Sequence, residues 1–184
     1  MQATLEALLK LHVLESLPRT GWVQRGVPSP ESVAGHVVGV GFLALALAPR
    51  VEPGLDVDRV VSLALVHDAP EALTGDLPKS GSELLPAGAK RKAEMAAAKL
   101  LLDPCNSTAM ARFEEFEAQN SREARFAKLC DKLQLGVQLL AYVRSGQRGL
   151  EEFMGTVAAT DCSEFAVAKE FQQLLLLALA NAAE

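Results

Sequence analysis

Residues 58–76 read Asp58-Arg-Val-Val-Ser-Leu-Ala-Leu-Val-His-Asp-Ala-Pro-Glu-Ala-Leu-Thr-Gly-Asp76, and the way this stretch coils decides the fold. Its apolar residues recur every three to four positions, the period of a helix with one buried face. The pattern predicts a helix that starts near Asp56 or Asp58 and runs to about Leu73, before the turn at Thr74-Gly75. On that helix Leu63, Ala64 and His67 share a face, Asp68 sits beside it one turn beyond Ala64, and Glu71 stacks one turn above His67. Three ionisable groups then crowd one buried helix end.

The same period extends in both directions. Residues 3–17 read as a first helix ended by Pro18, and 18–30 form a connector rich in Gly and Pro that holds the only Trp, Trp22. A second helix is expected from Ser29 as N-cap, with Pro30 in the first helical position, to a stop at Pro49. Beyond a loop with Pro78, Gly81, Pro86 and Gly88, an amphipathic segment covers about 89–102 and is broken by Asp103-Pro104. Asn106 or Ser107 can cap a short acidic helix over 108–119. Asn120 with Glu123 resembles a capping box for a long helix to about Val143, and two more helices follow near 149–159 and 163–181. With 184 residues, 49% of them apolar and only 5% aromatic, the chain is expected to form one all-α domain over 1–184, a helical bundle around one core.

Composition also excludes partners. A formal net charge of −5 argues against a nucleic acid polymer, whose phosphates draw a basic surface. Cys105, Cys130 and Cys162 are widely separated, an odd set with no CxxC pair, so neither a disulfide framework nor a zinc knuckle is signalled and a cytoplasmic location is expected. The N-terminal stretch carries Glu6, Lys10 and Glu15 and lacks the features of a signal peptide. The apolar run Leu174 to Ala180 is far shorter than the ~20 residues that span a bilayer, so no membrane partner is expected.

Chemistry enters through a set of residues on three helices. In the second helix Val33, His36, Val40, Leu43 and Leu47 fall at spacings of three and four, which puts the His36 imidazole inside the apolar stripe. In the long helix Phe126, Leu129, Cys130, Leu133 and Val137 mark the core stripe, with Asp131 on its shoulder. A carboxylate near a core needs a cation or good donors, because an unpaired buried charge is costly. Taken singly, His36 reads as a satisfied core histidine and Asp131 as a surface carboxylate facing Lys128 or Lys132. Taken together, His36, His67, Asp68 and Asp131 make a mixed nitrogen and oxygen site suited to a first-row divalent ion.

In this order the four residues resemble the H...HD...D pattern of the HD-domain metal-dependent phosphohydrolases. The surrounding text, Pro30-Glu-Ser-Val-Ala-Gly-His36, the 64–76 stretch and Lys128-Leu-Cys-Asp-Lys-Leu133, looks like the 5'-deoxynucleotidase branch, as does Arg19-Thr-Gly-Trp22. The resemblance covers about residues 8–145, with a motif core over about 19–145 on which helices 149–181 pack. It implies an all-helical HD-type fold and metal ligation by His36, His67, Asp68 and Asp131. It further implies catalytic work by Glu71 and Asp76, a homodimer, and hydrolysis of nucleoside 5'-monophosphates, 2'-deoxynucleotides above all, to nucleoside and phosphate. The cofactor expected is one divalent transition metal ion, cobalt or manganese first, then zinc, iron or nickel.

In the connector, Arg19 and Arg25 can pair with phosphate and Trp22 can stack on a sugar or base face. Some family members carry an Arg directly before the Trp, whereas here Gly21 holds that place and Arg19 lies three residues back. Lys79, Lys90, Arg91 and Lys92 can reach an anion near the cleft, although a solvated helix face explains the last three as well. Two other readings compete. One is an HD phosphohydrolase acting on a nucleoside triphosphate or cyclic nucleotide, which the short chain and few basic residues near the motif oppose. The other is a binding protein clamped by a metal without turnover, which the Glu71 and Asp76 pair opposes.

Overall fold

Apart from one isolated bridge between Pro18 and Ser32, every regular element of the computed structural model, which describes residues 1–183, is helical. In chain order these are α1 (Gln2–Leu11), α2 (Thr20–Val23), α3 (Val33–Leu47), α4 (Val57–Val66), α5 (Glu71–Thr74) and α6 (Lys79–Ser82). There follow α7 (Ala89–Leu102), α8 (Ser107–Ala118), α9 (Arg122–Arg144), α10 (Glu151–Ala158) and α11 (Ala166–Ala183), with single 3-10 turns at His12–Glu15 and Ala48–Arg50. The all-α expectation is met.

The first helix ends at Leu11 and passes into the 3-10 turn His12–Glu15 where a helix to 17 is expected, and the connector and the loop after Gly75 each hold one short helix, α2 and α6. Three further boundaries differ from the sequence expectation, each for a local reason. Helix α3 starts at Val33, because Ser32 and not Ser29 caps it: the Gly35 amide donates to Ser32 Oγ at 3.0 Å. Upstream of that cap, the Glu31 carbonyl accepts from the Arg19 amide and the Leu17 carbonyl from the Val33 amide, which straps 29–32 to the connector. The 58–76 stretch is not one helix. Pro70 has no N–H to give the Val66 carbonyl, so α4 ends at Val66, residues 67–70 close as a turn with the Ala69 amide on Val66 O at 3.1 Å, and α5 restarts at Glu71. Ser121, one residue after the expected Asn120, caps α9 by accepting the Ala124 amide at 3.1 Å. Helix α7 runs over 89–102 as expected, with Gly88 turning in the left-handed region at its start.

The described chain divides into two compact units. The first takes Met1–Val38 and Leu65–Ala118. Its core gathers Ala69, Ala98, Leu101, Leu102, Met110 and Phe113, with Leu11, Val66 and Met95 packed against them, so α7 lies between α1, α5 and α8. The second takes Gly39–Ala64 and the chain from Gln119 onward, and is built on α9 packed against α10 and α11. Close approach there depends on glycine: a Cβ on Gly136 of α9 would meet Leu175 Cδ2 at 2.5 Å and Val157 Cγ2 at 3.0 Å. Phe126 and Phe165 meet edge to face at 4.9 Å, and the buried Gln172 amide donates to the Val157 and Thr160 carbonyls at 2.7 and 2.8 Å. By length and composition Val33–Arg50, with mean hydropathy 1.5, is apolar enough to cross a bilayer, and 44% of it is buried inside the protein.

Candidate metal centre

The turn forced by Pro70 is what presents the chemistry. His67 and Asp68 leave the end of α4 just where the helical ladder stops, and the first turn of α3 brings His36 to meet them. Both imidazoles are buried, His36 to 1% and His67 to 5% exposure. Their Nε2 atoms converge on Asp68 Oδ2, at 3.6 Å from His36 and 3.2 Å from His67, and the rings cross at 62° with centroids 5.4 Å apart. Phe116 of α8 closes one side of His67 at 5.1 Å.

That spacing fits a metal. Donors at ~2.0–2.2 Å from one small divalent ion stand roughly 3–3.5 Å from each other, close to the 3.2 and 3.6 Å at which the two nitrogens stand from this oxygen. Ligand atoms of His36, His67 and Asp68 lie within 4.8 Å of one another, so the three residues can hold one ion with nitrogen and oxygen donors.

Glu71 opens α5 beside this cluster and is 6% exposed. Its Oε2 has no hydrogen-bond partner among the described residues. Burial pushes its carboxyl up to about 9, the negative charges of Asp68 and Asp76 add to the push, and Arg19 and Lys90 oppose it. A carboxyl left protonated in this way is a proton donor at neutral pH, and positive charge placed nearby would restore the carboxylate.

The structure brings Asp76 and Arg19 to the same place. Gly75, with φ 75, turns the chain back after α5, a conformation that suits glycine. Asp76 then accepts the Thr20 amide on Oδ2, while its own carbonyl accepts the Thr20 hydroxyl at 2.7 Å. The Arg19 guanidinium lies 3.1 Å from Asp68 Oδ2 and 3.9 Å from Asp76 Oδ1. Arg25 is exposed, beyond the end of α2.

Trp22 is turned inward. It is 1% exposed and donates its indole N–H to Glu31 Oε1 at 2.9 Å. In this conformation Trp22 pins the connector to the start of α3. Sequence reasoning misses Thr20 and Glu31, the two residues that tie the connector down. Glu31 stands in the Pro30-Glu-Ser-Val motif, but a hydrogen bond to a side chain nine residues back has no signature in spacing.

Asp131 belongs to the second unit. It is half-buried on α9, and Lys128 Nζ reaches its Oδ2 at 2.9 Å. Beside it, burial first and the Asp131 charge second raise the Cys130 thiol well above its ordinary range.

Comparison with known proteins shows the family. The HD domain family matches residues 11–172, and the chain belongs to that family. It is similar to the human 5'-deoxynucleotidase HDDC2, 34% identical over 145 residues that cover 77% of this chain and 69% of that protein. The Bos taurus 5'-deoxynucleotidase HDDC2 is 36% identical over 133 residues, 70% of this chain and 62% of its own length. Among solved structures, a Pyrococcus horikoshii protein matches with a TM-score of 0.78 and 30% identity, covering 96% of this chain and 98% of its own.

Proposed function

We propose that the protein hydrolyses nucleoside 5'-monophosphates, 2'-deoxynucleotides by preference, to nucleoside and inorganic phosphate with the help of one divalent transition metal ion. The observation that carries this reading is the convergence of His36 Nε2, His67 Nε2 and Asp68 Oδ2 beside a buried, raised Glu71. Relatives named 5'-deoxynucleotidases, similar over most of this chain, point to the same substrate class. The mixed nitrogen and oxygen donor set suits a first-row divalent ion, and the sequence reading puts cobalt or manganese before zinc, iron or nickel. Asp131 is the fourth ligand on the strength of the sequence resemblance alone.

When bound, the ion supplies Lewis acidity at the phosphoryl oxygens and lowers the pKa of water. The chain's own residues do the rest. Arg19, two-pronged and always charged, can move from its carboxylate partners to phosphate oxygens. Glu71 holds or releases a proton at Oε2, the atom with no partner among the described residues. Asp76 is the second catalytic carboxylate and also holds the connector through Thr20, while Trp22 with Glu31 fixes its far side.

A cytoplasmic homodimer completes the proposal. The three cysteines are free, which suits a reducing compartment. Phe42 and Leu45 on α3 and Leu174 and Leu177 on α11 expose apolar surface, which sedimentation will show to be covered by a second copy. The test of function is phosphate release from a panel of ribo- and deoxyribonucleoside 5'-monophosphates after chelation and re-addition of cobalt, manganese, magnesium or zinc, with His67→Ala as the blank. Metal-dependent release is expected, faster on the deoxy series; release of triphosphate from nucleoside triphosphates in its place would overturn the substrate class.

A further inference from the structure

We propose that Lys90 is a further substrate-binding residue, an ammonium that holds an anionic oxygen of the phosphoryl group beside the metal centre; this rests on the phosphohydrolase reading above. Lys90 stands in the first turn of α7, the helix that packs against α5. Lys90, Glu94, Ala98 and Leu101 lie at spacings of four, four and three, on one helical face. Ala98 and Leu101 bury in the same cluster as Ala69, the residue after Asp68, with Met95 and Ala72 packed against it. The stripe that seats α7 on residues 69–72 therefore continues through Glu94 to Lys90.

The four cations of this region separate clearly. Lys79 is 91% exposed and reaches only Glu83, at 3.9 Å. Arg91 is 65% exposed and pairs with Glu117 at 3.7 Å, and Lys92 is exposed. Of the four, Lys90 alone is half-buried, with its Nζ 3.4 Å from the largely buried Glu94 Oε1, which steers the side chain along the packed face. Two further signs place it near the site: Arg19 and Lys90 are the cations whose charge bears on Glu71, and Glu94 feels the charge of Asp68.

The chemistry calls for such a group. A phosphomonoester carries close to two negative charges near neutral pH, and it must enter a site whose own residues Asp68, Glu71 and Asp76 are acidic. Arg19, which rests between Asp68 and Asp76, brings one positive charge, too little alone to balance the phosphoryl group. A second cation on the opposite element, held loosely by a carboxyl that burial keeps above its usual range, can turn from Glu94 to the incoming oxygen without breaking the core.

The test is calorimetric titration of inorganic phosphate into the manganese-loaded protein, in the parent chain and in Lys90→Met, Lys90→Arg and Lys92→Met, with circular dichroism to confirm that each variant folds. Lys90→Met should bind phosphate roughly tenfold more weakly, the loss expected of one charge-assisted contact. Lys90→Arg should recover part of the affinity and Lys92→Met should match the parent. In turnover the same loss should fall on KM, with kcat little changed. Equal phosphate affinity in the parent and Lys90→Met, or no phosphate binding by the parent, overturns the proposal. Lys90-dependent phosphate binding without nucleotide hydrolysis would support it and contradict the nucleotidase reading instead.

Discussion

Gln172 in the second unit and Glu71 in the first are both buried polar side chains on helices, 9% and 6% exposed, yet the protein treats them oppositely. Gln172 spends both N–H groups on the Val157 and Thr160 carbonyls, joining α11 to the end of α10. Glu71 keeps an oxygen without a partner among the described residues and sits among Asp68 and Asp76, where burial and like charge hold its proton on. A satisfied buried group stabilises a fold, whereas an unsatisfied one costs stability and persists where something outside the chain completes it. The second unit thus satisfies its buried amide from within, and the first holds a buried carboxyl ready for a reacting partner.

The contrast breaks most sharply at Glu71. Glu71→Gln should lower metal-dependent phosphate release about 10²–10⁴-fold, the range for loss of a positioned proton-transfer group, measured as kcat under saturating substrate. The same variant sharpens the contrast through pH. A carboxyl whose folded pKa, about 9, exceeds its ordinary 4.5 binds protons more tightly when folded. Its favourable contribution is complete below about pH 4.5 and is lost as pH rises toward 9, so metal-free parent protein should lose stability across that window in urea titrations. Glu71→Gln, which cannot ionise, should flatten that decline.

Smaller effects are expected at the packing residues Gly136 and Gln172 of the second unit, and on stability alone. Gly136→Ala should cost about 1–3 kcal/mol by overpacking α9 against Leu175 and Val157, read as a lower urea midpoint. Gln172→Leu strips the Val157 and Thr160 carbonyls of a shared donor and should cost a similar or smaller amount, ~1–3 kcal/mol. If either change alters the metal dependence of turnover, the assignment of Gly136 and Gln172 to packing alone fails.

Local signals make much of the architecture legible in the amino-acid order. The bounds of α7 can be read because a glycine opens it and Asp103-Pro104 closes it, signals that act within one turn. The candidate metal residues are legible only as a set: His36 alone reads as a core histidine, and its pairing with His67 and Asp68 in the H...HD...D resemblance is what singles it out. What stays hidden is non-local. Periodicity alone carries the 58–76 helix too far, because the pattern continues past Pro70 while the missing N–H of that proline stops the ladder. Ser32 displaces Ser29 as the cap of α3 because the connector straps onto Glu31 and Leu17, and Trp22 turns inward for the same reason. Lys90 and Lys92 are indistinguishable in the sequence, and only packing puts one of them on the buried face.

The most direct test measures bound metal and phosphate release side by side in the parent chain, His67→Ala and Glu71→Gln, each reconstituted with manganese and assayed on deoxynucleoside 5'-monophosphates. If His67 holds the ion and Glu71 handles the proton, His67→Ala loses both metal and turnover while Glu71→Gln keeps its metal and loses turnover. Full metal retention by His67→Ala, or turnover at the parent rate by Glu71→Gln, would contradict those roles.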